Sequence, residues 1–351
     1  MVQIFTSSGA VVEPAHGLGM TNSVIEAAGN VAEFVLVVLP AAGAVVAWSG
    51  SATIAASFAF LCGSYAGLAA AMALGRARKQ VLVIDSGMPC NRQTPHSHNF
   101  LTQDGRAPAE IAAIARRQVE NYDTISFLEN TAVKATYTGI GFRTQTASGE
   151  EIESSKLIFA SGIRDLLPPL EGLAECWGIS VLHCPFCHGY EIRNDKTGIL
   201  GRGEAGFEMA RFIANWTKDL TLFSNGPSAL TAEQKAKLEQ HQIAVVENEI
   251  ARLAHAEGEL REIVFKDRTT NPLKAFYVKA PFEQHCKIPQ ALGCELTADG
   301  FLRTDESFET TVKGVYACGD TLSAMRTVAH AVSTGTATGI ILAKRIIMEN
   351  F

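Results

Sequence analysis

A short apolar run, a turn containing glycine, a helical stretch and a further apolar run follow one another twice in this chain, about 138 residues apart from Gly63 to Gly201. That order pairs two parallel strands through a crossover helix, and its repetition restricts the chain to α/β architecture. In the first copy Ser57 to Leu61 is a weak strand candidate. Ala66 to Arg78, rich in Ala, Leu and Met, predicts a helix, and QVLVID (Gln80 to Asp85) predicts a buried strand. In the second copy TGILG (Thr197 to Gly201) and DLTLF (Asp219 to Phe223) flank a stretch from Glu204 to Trp216. There Phe207, Ala210, Ile213 and Ala214 share one helical face. Elsewhere a helix is expected from Pro108, short strands between 125 and 161 ending in KLIFASG, and a strand in GVYACGD (Gly314 to Asp320). Met325 to Met348 reads as helix interrupted at Ser333 to Thr338, and 351 residues suggest about two domains.

The two turns differ in quality. Gly201, Gly203 and Gly206 in GRGEAG fit G-x-G-x-x-G between a strand and a helix. Glycines there allow a tight turn and close approach of a pyrophosphate, which the unpaired N–H groups of the helix start stabilise. The competing reading is an ordinary strand-to-helix turn. After DLTLF come Ser224 and Asn225, so neither an acid for a ribose 2′-hydroxyl nor an Arg cluster for a 2′-phosphate is present. The choice between NADH and NADPH is not written there, and weak or absent nicotinamide binding stays open. The first turn, CGSYAG (Cys62 to Gly67), has only its last glycine in place against the same pattern. Asp85, 22 residues beyond Gly63 at the end of QVLVID, stands where a carboxylate can accept from an adenosine ribose. Against this, Cys62 replaces the first glycine, and SFAFL lacks the β-branched run expected of a central parallel strand.

Between the copies lies His183-Cys184-Pro185-Phe186-Cys187-His188. A C-x-x-C spacing lets two thiols close a redox-active disulfide, and neighbouring imidazoles can favour a thiolate or carry its proton. A zinc site is the chief competitor, but zinc normally takes a second ligand pair at regular spacing, and none is evident.

Charge gives no reason to expect a nucleic-acid partner: 30 Lys and Arg stand against 36 Asp and Glu. Eight cysteines in 351 residues do not make the dense framework of a small secreted domain, so a reducing cytoplasm is the default. The front is unusual. Residues 1 to 75 hold Glu13, Glu26 and Glu33 and no Lys or Arg, and FVLVVLPAAGAVVAW runs from Phe34 to Trp48. Residues 34 to 74 could be read as a membrane anchor, yet Pro40 and Gly43 weaken a spanning helix, and nothing basic precedes the run as a secretory signal requires. The preferred reading is an atypical apolar extension over 1–57.

In combination these segments resemble the class II pyridine nucleotide-disulfide oxidoreductases, the thioredoxin reductase-like proteins. HCPFCHGYE (His183 to Glu191) is most similar to the branch that includes sulfhydryl oxidases of dithiol natural products. GSYAGLAAAMALGRARKQVLVIDSG (63 to 87), HSHNFLTQDG (96 to 105), FASG (159 to 162), GRGEAG and GVYACGD support the likeness, which spans about 58 to 351. The resemblance implies two Rossmann-like, three-layer nucleotide-binding domains: FAD-binding segments 58–172 and 299–351, split by an inserted NAD(P)-binding domain, 173–298. By the same resemblance, Gly63, Ser64, Ala66, Gly67 and Asp85 would hold the ADP half of FAD. Gly319 and Asp320 would meet its pyrophosphate and ribityl region, and Arg326, Thr327 and Val328 would lie by the flavin ring. Gly201, Gly203 and Gly206 would take NADPH or NADH. The implied relay passes a hydride from nicotinamide to flavin, electrons on to Cys184–Cys187, and then exchanges with a thioredoxin-like protein or a small-molecule disulfide or dithiol. Cys187 would face the flavin, Cys184 would attack the partner, and His188 is the candidate general acid/base unless it only orients its loop. A homodimer is expected from the resemblance alone. Two alternatives stand beside this: an oxygen-dependent dithiol oxidase, and a non-catalytic remnant or zinc-binding module.

Overall fold

The computed structural model describes residues 63–351, together with the backbone of three strands ahead of them. Cys62 and most of the apolar extension, including Phe34 to Trp48, lie outside the described residues. Residues 1–50 and 51–351 form separate units. In the first, β1 (Ile4–Phe5) pairs antiparallel with β2 (Val11–Val12).

The second unit opens with β3 (Ile54–Leu61), α1 (Tyr65–Arg76), β4 (Val81–Asp85), α2 (Pro108–Val119) and β5 (Ile125–Glu129). A meander follows, β6 (Ala132–Tyr137), β7 (Phe142–Thr146) and β8 (Glu151–Phe159), and then the short β9 (Ile163–Asp165) and α3 (Leu173–Cys176). Next come β10 (Val181–Leu182), α4 (Pro185–His188), β11 (Thr197–Leu200), α5 (Gly203–Ile213), β12 (Leu220–Phe223), α6 (Ala232–Gln240) and β13 (Ala244–Val246). An antiparallel trio, β14 (Ile250–Ala256), β15 (Glu259–Phe265) and β16 (Thr270–Pro272), precedes β17 (Ala275–Val278). The chain closes with β18 (Phe282–Gln284), α7 (Ile288–Ala291), β19 (Val315–Ala317), a 3-10 turn at Gly319–Thr321, and α8 (Val328–Glu349).

Two sheets organise these elements. In the first, β3 lies between β4 and β8, with β5 beyond β4, all parallel, and β19 pairs parallel with the C-terminal end of β8. The N-terminal end of β8 pairs antiparallel with β7, which pairs with β6. In the second, β10-β17-β11-β12-β13 are all parallel. In each sheet the chain runs outward from one strand on one side and returns on the other. That reversal opens a crevice at the carboxyl ends of β3 and β8 in one sheet, and of β11 and β17 in the other.

Period-two alternation builds the core of the first sheet. Val81 and Val83 pack with Leu74, Ile158 and Tyr316 on one face, while Leu82 and Ile84 pack with Phe142, Leu157 and Phe159 on the other. Burial on both faces is why these strands read as continuous apolar runs. The weak candidate at 57 to 61 is a longer, central strand. Its pairing with β8 from Ile54 to Leu61 and with β4 from Phe58 to Leu61 stands in for the β-branched run it lacks.

The C-terminal segment corrects one expectation. Ser333 to Thr338 does not interrupt a helix: α8 is continuous from Val328 to Glu349. Two of its hydroxyls bond inside the helix, Thr334 Oγ1 donating to His330 O at 2.9 Å and Thr338 Oγ1 to Thr334 O at 2.8 Å. Its glycine has a packing reason, since a Cβ on Gly335 would lie 2.1 Å from Ala66 O of α1. The stretch that looked like a helix breaker is the contact surface for α1. Part of the run once readable as a membrane anchor is accounted for as well, because Ile54–Leu61 is a strand and α1 packs against α8. Among the described residues, no helix is long and apolar enough to cross a membrane.

Candidate functional site

At the carboxyl ends of β3 and β8 lies a cavity of about 450 Å³. The start of α1 forms one wall: Ser64 caps the helix, accepting from Gly67 N at 3.4 Å, and donates to Ala160 O at 2.8 Å, which fixes the turn to the tip of β8. The start of α8 forms another, with Thr327 accepting from His330 N at 3.1 Å and Thr334 Oγ1 accepting from Gly319 N at 3.0 Å. Two helix N-termini therefore open on one space, and their partial positive charge suits an anion such as a pyrophosphate. Asp85, at the tip of β4, sits against the glycine turn. A Cβ on Gly63 would lie 2.4 Å from Asp85 Oδ2, so the position has no room for a side chain.

Gly63, Ser64, Ala66, Asp85, Gly319, Asp320, Arg326, Thr327 and Val328 all line this cavity. Gly67 serves it indirectly, through the cap on Ser64. At the α8 end, Arg326 holds Asp165 in a bidentate pair of 2.7 and 2.8 Å, and its Nε lies 3.9 Å from Asp320 Oδ2. Burial, only partly offset by Arg326, pushes the Asp320 carboxyl up to about 6. Arg326 Nε and His183 Nε2 are buried without hydrogen-bond partners, which leaves donor capacity beside the cavity. A space with a glycine turn, two helix starts, a carboxylate at the tip of β4 and spare donors at its far end fits a flavin dinucleotide.

Cys184 and Cys187 stand at the N-terminus and in the body of α4, both as free thiols and both partly buried. They do not line the cavity, but their neighbours His183 and His188 do, and the charges of Arg326 and Asp320 act on Cys187. The thiols are strongly unequal. Cys184 is brought down to about 7, chiefly by a hydrogen bond from the Cys187 thiol, with burial opposing and the N–H groups of Cys187 and Phe186 and the Arg326 charge assisting. Cys187, the donor in that bond and itself buried, is driven far up. At neutral pH a proton is shared out in favour of a Cys184 thiolate.

Imidazoles surround the pair. His183 stacks on Trp177 at 5.8 Å between ring centroids, and burial, with Arg326 adding to it, lowers it to about 4. Burial also lowers His188, with the charge of His98 acting the same way and Glu191 opposing. Both rings are neutral at pH 7 and able to accept a proton. His98, 3.5 Å from Glu191 Oε1 and 3.6 Å from Asp104 Oδ2, continues the polar path outward. On the open side Phe186 is 62% exposed and meets Phe212 and Trp216 edge-on at 5.7 and 5.5 Å. Among the described residues, no group of three or more His, Cys, Asp or Glu could hold a metal ion.

Asp165, His98 and Trp177 escaped the sequence reading. Asp165 lies 161 positions from its Arg326 partner, so no local spacing could reveal it. His98 falls within HSHNFLTQDG, a segment read only as a likeness.

The other turn is built differently. Gly201 and Gly206 approach so closely that a Cβ on Gly201 would lie 2.7 Å from Gly206 Cα, as a tight strand-to-helix turn requires. The crevice above it, however, is filled by the chain: Arg202 bonds to the carbonyls of Ser224 and Asn225, and Gly203 N donates to Ser228 O at 2.8 Å. The glycine spacing fits a nicotinamide dinucleotide. The crevice in this state does not.

Comparison with known proteins agrees with this geometry. The pyridine nucleotide-disulphide oxidoreductase family model matches residues 59–335. The thioredoxin reductase tcpT of Claviceps purpurea (strain 20.1) is 31% identical over 301 residues, covering 82% of this chain and 93% of its own. The thioredoxin reductase aclD of Aspergillus oryzae is 31% identical over 293 residues, covering 80% and 93%. A solved structure, the putative thioredoxin reductase TrxB of Bacillus anthracis, superposes with a TM-score of 0.81 at 28% identity, covering 84% of this chain and all of that one. The chain thus belongs to the pyridine nucleotide-disulphide oxidoreductase family, as a thioredoxin reductase-like flavoprotein oxidoreductase with two nucleotide-binding domains.

Proposed function

We propose that this protein is an FAD-dependent thiol–disulfide oxidoreductase in which Cys184 and Cys187 exchange electrons between the flavin and a dithiol or disulfide substrate. The observation that carries the reading is the asymmetry of the pair, a Cys184 brought down to about 7 beside a Cys187 that keeps its proton, next to the Arg326 end of the cavity. FAD, when bound in that cavity, supplies two-electron redox chemistry to the pair.

The residues account for the exchange. In the reducing direction Cys184 Sγ attacks one sulfur of the substrate disulfide, forming a mixed disulfide and releasing the other as a thiolate. Once Cys184 is tied up in the mixed disulfide it no longer holds the Cys187 proton; His188, neutral at pH 7, takes that proton, and Cys187 Sγ attacks Cys184 Sγ, breaking the mixed bond and releasing the second substrate thiolate. Two substrate sulfurs are reduced and the pair is oxidised to Cys184–Cys187. The exposed Phe186 edge offers an apolar face to whatever docks beside Cys184. A thioredoxin-like protein and a small apolar disulfide both suit it.

The same steps run in reverse describe a dithiol oxidase that passes electrons to oxygen. The specific observation favouring this direction is the closed second crevice, with Ser224 and Asn225 where a nicotinamide-specific acid or basic cluster would stand. Anaerobic titration of the flavin-loaded protein with NADPH and NADH separates the two. Bleaching of the flavin by either nucleotide supports the reductase. Indifference to both, with hydrogen peroxide formed from a dithiol in air, supports the oxidase.

A further inference from the structure

We propose that Arg202 is a latch that holds the second nucleotide crevice shut, so that a nicotinamide dinucleotide must displace the chain's own guanidinium and the 224–229 loop in order to bind. A dinucleotide needs two things at such a turn: free N–H groups at the helix start for its pyrophosphate, and open space past the tip of the following strand for its adenosine ribose. Both places are taken. Gly203 N, one of the helix-start donors, bonds to Ser228 O at 2.8 Å. Past the tip of β12, Arg202 Nε donates to Ser224 O at 2.5 Å and its Nη2 donates to Asn225 O.

The loop is built to meet this side chain. Gly226 has φ of 114°, a conformation that glycine permits, and the Arg202 guanidinium lies over it, with Nη2 2.8 Å from where a Cβ would stand. Asn225, at φ of 50°, takes the left-handed turn that asparagine tolerates, whereas Ala229, at φ of 54°, adopts it at a cost that its surroundings must offset. The other face of the loop is tied by Ser228 N to Glu247 Oε1 at 3.0 Å and Gly226 N to Glu247 O at 2.9 Å. Ser228, 1% exposed, faces the Glu247 carboxylate, which hydrogen bonds from its hydroxyl and N–H hold below the ordinary range. A left-handed alanine is a cost that opening the loop would relieve. A dinucleotide then binds only the open state, and its apparent affinity is its intrinsic affinity reduced by the fraction of molecules that are open.

The test is binding, not turnover, so its failure leaves the dithiol reading untouched. ADP-ribose, which carries the pyrophosphate and adenosine without a redox group, is titrated calorimetrically into flavin-loaded wild type and R202A, with flavin content and thermal midpoint confirming that the variant is folded. The latch predicts that R202A binds ADP-ribose at least about tenfold more tightly than wild type. Equal or weaker binding by R202A overturns it, the weaker case meaning that Arg202 grips the phosphates. Hydrogen exchange on wild type adds a readout that needs no variant: with saturating ADP-ribose the amides of 224–229 should exchange faster, as the loop is expelled, and slower exchange would overturn the latch. Should wild type take up no ADP-ribose at attainable concentration, binding by R202A supports the latch and its absence there overturns it.

Discussion

At the scale of single residues, the candidate site works through differences between like groups. Cys184 and Cys187 are chemically identical, yet one hydrogen bond between them, reinforced by helix-start N–H groups, sends their acidities in opposite directions. Alkylation of Cys184 by iodoacetamide should therefore follow a titration with a midpoint near 7, read by mass spectrometry of the labelled peptide. In C187A, which removes the donor, the midpoint should move up toward the ordinary thiol range; an unmoved midpoint would show that the donor is not Cys187. Asp320 gives a second titration. Its folded carboxyl, at about 6, lies above the ordinary aspartate value, so the folded chain holds this proton more tightly than the unfolded chain. Below about 4 the group costs nothing; the cost grows as pH rises from about 4 to about 6, and above that it opposes folding by roughly 1–3 kcal/mol. Asp320→Asn should accordingly stabilise the flavin-free protein at pH 8 and leave it little changed at pH 4, measured by urea unfolding. Cys184, Cys187 and Asp85 were legible in the sequence because spacing alone marks them. The partner that holds Arg326 was not, since Asp165 comes from a distant strand.

At the scale of elements, helices α1 and α8 set the geometry of the first cavity, because both begin at its wall and pack against each other along small residues. The contact depends on backbone approach rather than on large side chains. A Cβ on Gly335 would meet Ala66 O at 2.1 Å, and one on Gly339 would meet Ala70 O at 2.6 Å. Gly335→Val should destabilise the protein by about 1–3 kcal/mol and lower its flavin content, because shifting α8 displaces both helix starts together. Ser333→Val, which puts the same side chain on the exposed side of α8, should do neither, and equal losses in both variants would assign the effect to a β-branched residue in the helix rather than to the contact with α1. This is also where sequence pattern misled. Glycine and threonine between 333 and 338 carry the local signature of a break, and only the tertiary contact with α1 explains why the helix continues. Strand β3 misled in the same way: its composition is weak, and its central place comes from pairing on both sides.

At the scale of the whole molecule, two parallel sheets present two crevices of the same design in opposite conditions. The first is open, lined by two helix starts and flanked by the dithiol. The second is closed by Arg202 and the 224–229 loop. Repetition of the strand–turn–helix pattern made both units visible in the sequence, since each rests on local spacing. The closure was invisible, because it joins a turn to a loop more than 20 positions away through backbone carbonyls that any sequence would supply. In the proposed relay the Cys184–Cys187 pair is the route between substrate and flavin. Anaerobic titration of the flavin-loaded protein with dithiothreitol, followed at the visible flavin band, in wild type and in Cys184→Ser and Cys187→Ser, tests that route. Two equivalents of dithiol, one for the Cys184–Cys187 disulfide and one for the flavin, should bleach the wild-type flavin, while both variants bind flavin and keep its colour. Bleaching of either variant at the wild-type rate would contradict it.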